Sequence, residues 1–336
     1  MLRELIDLCG LAGISGFEYG ISKHIQEIFG LHCEDTETDP AGNVIGIIGK
    51  GREKKILIEA HLDEIGLMVK SIDQNGFVSF VCVGGVNASV LPSAEVYIHG
   101  KERIYGVIGA RPPHLQSEEE SKNKYKIEDM YIDTGFSKDE LEGLIQIGDP
   151  VSFACEPAAL LGDKLSSKSI DNRAGVLCLI NCMKRLKTKN TDCEIVFLAA
   201  VQEEVGLRGA KIGAYNINPD WAIIIDVTHA ITPYTKDGDI AFELGSGAAV
   251  AVGPGMHPFI TGKIMESAKN IPYSLEVTPG NSGTDAWAIQ TTKSGIGCAL
   301  VSIPLKYMHS QVETVCMSDI NAVSDIICYA VEGGIC

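Results

Sequence analysis

The sequence has no run of apolar residues long enough to cross a membrane, although 45% of its 336 residues are hydrophobic. Its first stretch, residues 1–9, carries charges at helical spacing and lacks the apolar centre of a signal peptide. The 11 cysteines include no Cys-x-x-Cys pair, and Cys178 and Cys182 lie one turn apart in an apolar helical pattern, which indicates core thiols. These absences argue against a membrane protein and predict a reduced, cytoplasmic setting.

Basic residues are scarce, because 28 lysines and arginines face 44 aspartates and glutamates and give a net charge of -16 at pH 7. Without a basic excess the protein has little to displace counterions from a phosphate backbone, so the composition argues against a nucleic-acid partner. The sequence also shows no internal repeat and no low-complexity tract. We therefore expect a globular protein of one large domain or two.

Short β-rich runs punctuated by glycine fill the stretch from about residue 70 to 165. This texture predicts a small, mostly antiparallel β domain at 70–165, inserted into a larger unit formed by 1–69 and 166–336. Within the insert, the charged stretch 118–124 predicts an exposed loop. In the larger unit, segments with the apolar spacing of helices alternate with the apolar runs of strands, which indicates an α/β fold. Its predicted helices are 2–9, 18–28, 174–186, 206–215, 258–270 and 318–331, and its predicted strands are 44–48, 56–60, 194–201, 221–225 and 298–303.

Two adjacent glutamates, Glu203 and Glu204, follow the apolar run 194–201. Buried charge is costly unless it is paired or bound to a metal. Consecutive residues at a strand end point in different directions, so one glutamate can bind a metal while the other holds a water. The start of a solvated helix explains the pair as well, because acidic residues suit a first helical turn.

Other metal-binding residue types stand at comparable places. His61 and Asp63 directly follow a strand, Asp226 ends another, His309 lies just past a third, and Asp171 stands where a helix starts. Each has an ordinary structural explanation by itself, such as a helix N-cap or a loop histidine. In open α/β sheets, however, ligands gather at the carboxyl ends of the strands. The joint placement therefore favours a site for divalent cations.

The candidate ligands form two groups that share one bridging aspartate: His61, Asp171 and Asp226; and Asp171, Glu204 and His309. Their three carboxylates leave one net positive charge on two dications, which suits a bridging hydroxide as the nucleophile. Glu203 is then left over as the proton shuttle from water to the leaving group. Asp63 is placed to hydrogen-bond the ring of His61.

Motifs along nearly the whole chain carry a family likeness: His61-x-Asp63-Glu64-Ile65-Gly66, Asp171-x-Arg173-Ala174-Gly175, Gln202-Glu203-Glu204-Val205-Gly206, Asp226-Val227 and Tyr307-x-His309. Through them the chain resembles the glutamyl-aminopeptidase and tetrahedral (TET) aminopeptidase family of metallopeptidases, family forty-two.

The resemblance implies a di-metal aminopeptidase that acts on peptides. It implies a phosphorylase/hydrolase-like mixed-sheet catalytic domain with an inserted small β-barrel-like domain. It also implies two divalent ions per subunit, Zn²⁺ or Co²⁺, held by the ligands named above, with Glu203 and Asp63 as the catalytic carboxylates. Family members often assemble through the insert into dimers and tetrahedral dodecamers, so we expect a homo-oligomer.

The chain departs from the family at Asn172, where a second aspartate is usual, at Lys306, where an arginine is usual, and over 248–257. Since lysine cannot reproduce a bidentate arginine contact, we expect an altered substrate preference but unaltered chemistry.

Two other functions compete with peptide hydrolysis. Some relatives are labelled endoglucanases, but a glycosidase needs two free carboxylic groups, whereas here histidines accompany the acids. Aromatic residues are also only 6% of the chain, which does not favour a sugar-stacking cleft. A non-catalytic metal-binding scaffold is the second alternative, and it predicts loss of the shuttle position, where Glu203 is present.

Overall fold

The apolar and β-branched runs of the larger unit pair into one mixed sheet in the computed structural model, which describes residues 1–115 and 125–335. The stretch 118–124 lies outside the described residues. The sheet has 11 strands: β1 (Asp35–Thr38), β2 (Val44–Ile48), β3 (Lys55–His61), β10 (Ala158–Leu160), β11 (Lys164–Ser167), β12 (Glu194–Ala200), β13 (Trp221–His229), β14 (Ala248–Val252), β15 (Tyr273–Val277), β16 (Gly297–Lys306) and β17 (Glu313–Cys316).

The centre of this sheet is parallel. The strand order is β1-β2-β12-β3-β13-β16-β17-β11-β10, and β14 joins β16 to β15. Strands β12, β3, β13 and β16 all run in one direction. All seven residues of β12 are buried, as expected of a parallel strand covered on both faces. The carboxyl ends of these four strands therefore meet at one edge of the sheet.

Helices cover both faces of the sheet. Along β3, Ile56 and Ile58 belong to the buried cluster on one face and Leu57 to the cluster on the other, because side chains alternate along a strand. The helices are α1 (Leu2–Cys9), α2 (Tyr19–Gly30), α3 (Lys138–Leu144), α4 (Ile170–Leu186), α5 (Arg208–Ile217), α6 (Pro258–Ser267), α7 (Asp285–Ile289) and α8 (Met317–Glu332). Helices α1, α2, α4, α6 and α8 contribute to the first cluster, and α5 and α7 to the second.

The glycine-punctuated stretch forms a closed antiparallel barrel with its own buried core. The strand order is β4-β5-β8-β7-β6-β9. The predicted mixed-sheet α/β fold with an inserted small barrel is thus confirmed. The division into domains at residues 70 and 165 stays a prediction. The barrel strands are β4 (Gly66–Ile72), β5 (Val78–Val83), β6 (Glu95–His99), β7 (Arg103–Ala110), β8 (Met130–Asp133) and β9 (Pro150–Phe153).

One strand end was predicted wrongly. The expected strand 221–225, ending on Asp226, continues to His229, because Val227 and Thr228 keep pairing with β16. Asp226 therefore lies inside a central strand and does not end it. The other predicted elements are present within a few residues of their expected bounds. Six strands of the sheet were not expected: β1, β10, β11, β14, β15 and β17.

The expected core thiols Cys178 and Cys182 are free and buried in α4. No helix among the described residues is long and apolar enough to cross a membrane. The cytoplasmic setting stays a prediction.

Two glycines give a matched test of backbone constraint. Gly247 precedes β14 with a φ of +96°, and a Cβ there would lie 1.9 Å from the carbonyl oxygen of Pro272. We expect Gly247→Ala to lower the free energy of unfolding by more than about 1 kcal/mol. Gly262→Ala, inside α6 with nothing within 4 Å of the added Cβ, should raise it by about 0.5–1 kcal/mol. Thermal unfolding measures both changes, and a Gly247→Ala variant as stable as the wild type would contradict the constraint.

Candidate metal centre and active site

The four parallel strands bring polar side chains to one edge of the sheet, where they line a cavity of about 540 Å³. Asp171, at the start of α4, reaches the same edge from the helix layer. The strand residues there are Glu203 and Glu204 after β12, His61 at the end of β3, Asp226 within β13 and His309 after β16.

His61, Asp171 and Asp226 form a first group of possible metal ligands, and all three are buried. Nε2 of His61 lies 3.2 Å from Oδ1 of Asp171 and 3.8 Å from Oδ1 of Asp226. An ion about 2 Å from each ligand atom fits among donors at such separations.

Asp171, Glu204 and His309 form a second group. Nε2 of His309 lies 3.4 Å from Oδ2 of Asp171 and 3.3 Å from Oε1 of Glu204. Nδ1 of His309 lies 3.1 Å from the carbonyl oxygen of Gly85, which can only accept a hydrogen bond. Nδ1 therefore carries the hydrogen, and the lone pair of the neutral ring is on Nε2, the atom that faces the two carboxylates.

Glu203 belongs to neither group, although its Oε2 lies 4.0 Å from Nε2 of His61. Its backbone is fixed by Asp63, whose fully buried carboxylate accepts the N–H groups of Glu203 and Glu204 at 3.1 Å each. Oδ1 of Asp63 also lies 3.6 Å from Nδ1 of His61. One aspartate thus fixes the backbone of the glutamate pair and lies beside the histidine ring.

The negative charge of the site exceeds the positive charge around it. Burial raises the pKa of Glu203 to about 10 and the pKa of Asp226 to about 7. Hydrogen bonds to Asp171 and Glu204 raise the pKa of His309 to about 11. In such a cluster protons take the place of a counter-charge that a divalent cation can supply.

The donor set fits metal ions. It combines imidazole nitrogens with carboxylate oxygens, and it is arranged in two groups that share Asp171. The buried Nδ1 of His61 has no hydrogen-bond partner among the described residues, and the carboxylate of Asp63 faces it at 3.6 Å. Metal-bound histidines commonly have a carboxylate on the other ring nitrogen.

The sequence matches the family model described as M42 glutamyl aminopeptidase over residues 42–326. The chain belongs to this family. A relative, the lysyl aminopeptidase of Pyrococcus furiosus, is 36% identical over 316 residues, which cover 92% of this chain and 90% of that protein. The predicted enzyme class is confirmed, and the protein is a peptidase of the M42 family.

Two solved peptidase structures share the fold. Aminopeptidase APDkam598 from the archaeon Desulfurococcus kamchatkensis has a TM-score of 0.92 and 34% identity, with coverage of 99% of this chain and 94% of that one. The TET1 peptidase of Pyrococcus horikoshii, which can assemble into a tetrahedron or a large octahedral shell, has a TM-score of 0.87 and 33% identity over 98% of each chain.

Sequence reasoning missed Glu313, which holds two candidate ligands of this M42 site. It is 1% exposed at the start of β17, and its carboxylate accepts the N–H of Asp171 at 3.0 Å and the N–H of His309 at 2.9 Å. Burial raises the pKa of Glu313 well above its ordinary value. A signal was present, since an acidic residue opens a strand only four residues after His309.

The two single-residue departures from the family lie in different surroundings. Asn172 is fully buried, its amide donates to the carbonyl of Ile225 at 2.8 Å, and its Oδ1 accepts the N–H of Gly175 at 3.0 Å. An aspartate could not donate the first of these hydrogen bonds. Lys306 ends β16 and is not among the described residues that line the cavity.

We expect Glu313→Gln to weaken metal binding by roughly 10- to 100-fold, because one acceptor oxygen becomes a donor that faces a backbone N–H. Competition titration with a chelating dye measures the affinity. Glu332→Gln, which disturbs the ion pairs of Glu332 with Arg185 and Lys189 far from the ligand groups, serves as the control and should leave the affinity unchanged. Equal affinities in all three proteins would show that Glu313 does not position the ligands.

Proposed function

We propose that this M42 peptidase is a di-metal aminopeptidase that removes N-terminal residues from peptides. The position of Asp171 carries the proposal, because its two carboxylate oxygens face different ligand groups. Oδ1 lies 3.2 Å from Nε2 of His61, and Oδ2 lies 3.4 Å from Nε2 of His309. A carboxylate placed in this way suits two ions about 3.5–4 Å apart.

His61 and Asp226 would hold one ion, Glu204 and His309 the other, and Asp171 would bridge them. Two divalent ions, when bound, polarise the scissile carbonyl and lower the pKa of a water molecule. Mixed imidazole and carboxylate ligands suit Zn²⁺ and Co²⁺.

Glu203 is the proposed general base and then general acid. It lies beside the first ligand group without belonging to it, and its side chain is 10% exposed. Cations in the site would replace the proton that Glu203 binds without them, and the ionised carboxylate, beside the first ligand group, could then take a proton from the attacking water. The same proton then passes to the amine nitrogen as the C–N bond breaks. Asp63 keeps the group in place through the N–H of Glu203.

We also propose assembly into a homo-oligomer, a dimer or larger, through the barrel. Tyr105 and Val107 of β7 and Tyr131 of β8 are between 40% and 47% exposed on neighbouring strands. An apolar patch of this kind is typical of an interaction surface. The shells formed by the TET1 peptidase of Pyrococcus horikoshii support the same proposal.

The site gives no support to glycoside hydrolysis. A glycosidase needs two free carboxyl groups on either side of the scissile bond. Here Asp171, Glu204 and Asp226 each lie within 3.8 Å of an imidazole nitrogen, which leaves Glu203 as the uncommitted carboxylate of the cluster.

Peptides with a free α-amine should shorten one residue at a time, whereas N-acetylated copies should stay intact. The reason is that the carboxylates of the cavity attract a cationic amine, and acetylation removes its charge. Mass spectrometry of timed samples follows both peptides. EDTA should abolish the reaction, and Zn²⁺ or Co²⁺ should restore it. Cleavage inside an acetylated peptide, or full activity after exhaustive chelation and dialysis, would contradict the proposal.

Glutamine substitutions should separate the roles of the two glutamates. Glu203→Gln keeps the size of the side chain but cannot accept the proton, so kcat should fall by roughly 10²- to 10⁴-fold with both ions retained. Glu204→Gln removes a charged ligand and should lower the metal content toward one ion per chain. Metal analysis and steady-state kinetics of both variants show which glutamate binds metal and which transfers the proton. Metal loss in Glu203→Gln with retention in Glu204→Gln would reverse the two assignments.

A further inference from the structure

The cavity continues past the ligand groups along β13, β16 and β15. Ser302 pairs in register with Asp226, and Thr228 lies two residues beyond Asp226 on the same face of β13. Both line the cavity, together with Glu276 of β15. This second acidic position is therefore next to the proposed metal centre, two strands from Ser302 across β14.

The Glu276 carboxylate is only partly satisfied. The hydroxyl of Thr228 donates to its Oε1, and the hydroxyl of Ser302 donates to its Oε2 at 3.0 Å. An ionised carboxylate offers about four acceptor sites, so each oxygen has one to spare. Burial raises the pKa of Glu276, and the two hydroxyls oppose that shift. The geometry holds the group in one place and leaves it open to a further donor.

No cationic partner of Glu276 exists among the described residues. None of their ion pairs within 4 Å includes it, and no described lysine or arginine lines the cavity. His229 lines the same cavity and opposes the rise in the pKa of Glu276 by its charge, but it forms no ion pair with Glu276 within 4 Å. A fixed, half-buried carboxylate without a counter-ion in a substrate cavity suits a cationic ligand group.

We propose that Glu276 binds the side-chain cation of a lysine or arginine at the N-terminus of the peptide, and that the enzyme prefers basic N-terminal residues. The inference rests on the proposed aminopeptidase function and names its substrate class. Leu300, two residues before Ser302 on the same face of β16, and Met308 also line the cavity and provide apolar contact for the stem of such a side chain. The lack of a lining lysine or arginine among the described residues disfavours acidic N-terminal residues.

Binding of the α-amine by Glu276 is a different role and is separable by experiment. The α-amine is common to all substrates, so removal of its binding partner would slow the hydrolysis of all of them alike. A side-chain partner affects only the basic ones. Norleucine is the informative comparison, because it keeps the apolar stem of lysine without the ammonium group.

The test compares kcat/KM for lysyl, arginyl, norleucyl and glutamyl 4-nitroanilides on wild type and Glu276→Gln, both loaded with Zn²⁺. Wild type should prefer lysyl over norleucyl by about 10-fold or more, and Glu276→Gln should lose about 10- to 100-fold on lysyl and arginyl substrates only. Glu276→Lys should gain activity on the glutamyl substrate. Glu243→Gln, at the surface outside the cavity, is the matched control and should behave as wild type.

The possible failures are distinct. A wild type that cleaves none of the four substrates overturns the proposed function together with this inference. A wild type that cleaves lysyl and norleucyl substrates equally, or an equal loss on all substrates in Glu276→Gln with its metal content and melting temperature unchanged, overturns only the inference. If Glu276→Gln fails to fold, the wild type answers the same question. Competitive inhibition by free lysine is then compared with competitive inhibition by free norleucine. Weaker inhibition by lysine would then overturn the inference, and stronger inhibition would support it.

Discussion

Concentrated negative charge at the carboxyl edge of a parallel sheet is the constraint on which the rest of this structure depends. Asp171, Glu203, Glu204 and Asp226 converge on two imidazoles, and burial first, with repulsion between the acids after it, raises the pKa values of Glu203 and Asp226. Such a cluster is stable where cations enter it, because they replace the protons that the acids would otherwise bind. The fold must therefore hold these acidic side chains at fixed positions so that the ions can bind between them.

Buried carboxylates outside the ligand groups hold the turns of the site in place, because they accept hydrogen bonds from backbone N–H groups. Gln202 and His309 both have left-handed backbone conformations, with φ of +57° and +60°. Conformations of this kind cost on the order of 1–3 kcal/mol in non-glycine residues. The N–H of Gln202 donates to Glu18 at 3.1 Å, and the N–H of His309 donates to Glu313 at 2.9 Å. These hydrogen bonds offset the strain at the two turns that carry ligands and the proposed base.

The sequence was informative where chemistry and periodicity coincided. An apolar strand followed by Glu203 and Glu204 predicts both an element and a function, and the structure brings the predicted ligands together, although their catalytic roles stay predictions. Asp226 shows the limit, because a charge inside a run marks a strand end locally, and only pairing with β16 continues β13 beyond it. Glu313 was missed although one partner, His309, is four residues away, because the other, Asp171, is 142 residues away. Glu276 gave no local signal, since Thr228 and Ser302 are 48 and 26 residues from it and only the fold brings them into contact.

The barrel contributes backbone contacts to the candidate metal site. Its Gly85, which follows β5, accepts the hydrogen bond that fixes the tautomer of His309, and a Cβ at Gly85 would lie 2.6 Å from Nδ1 of that histidine. A Cβ at the adjacent Gly84 would lie 3.2 Å from Oε2 of Glu204. The two glycines thus allow the barrel to approach two ligands of the same proposed ion.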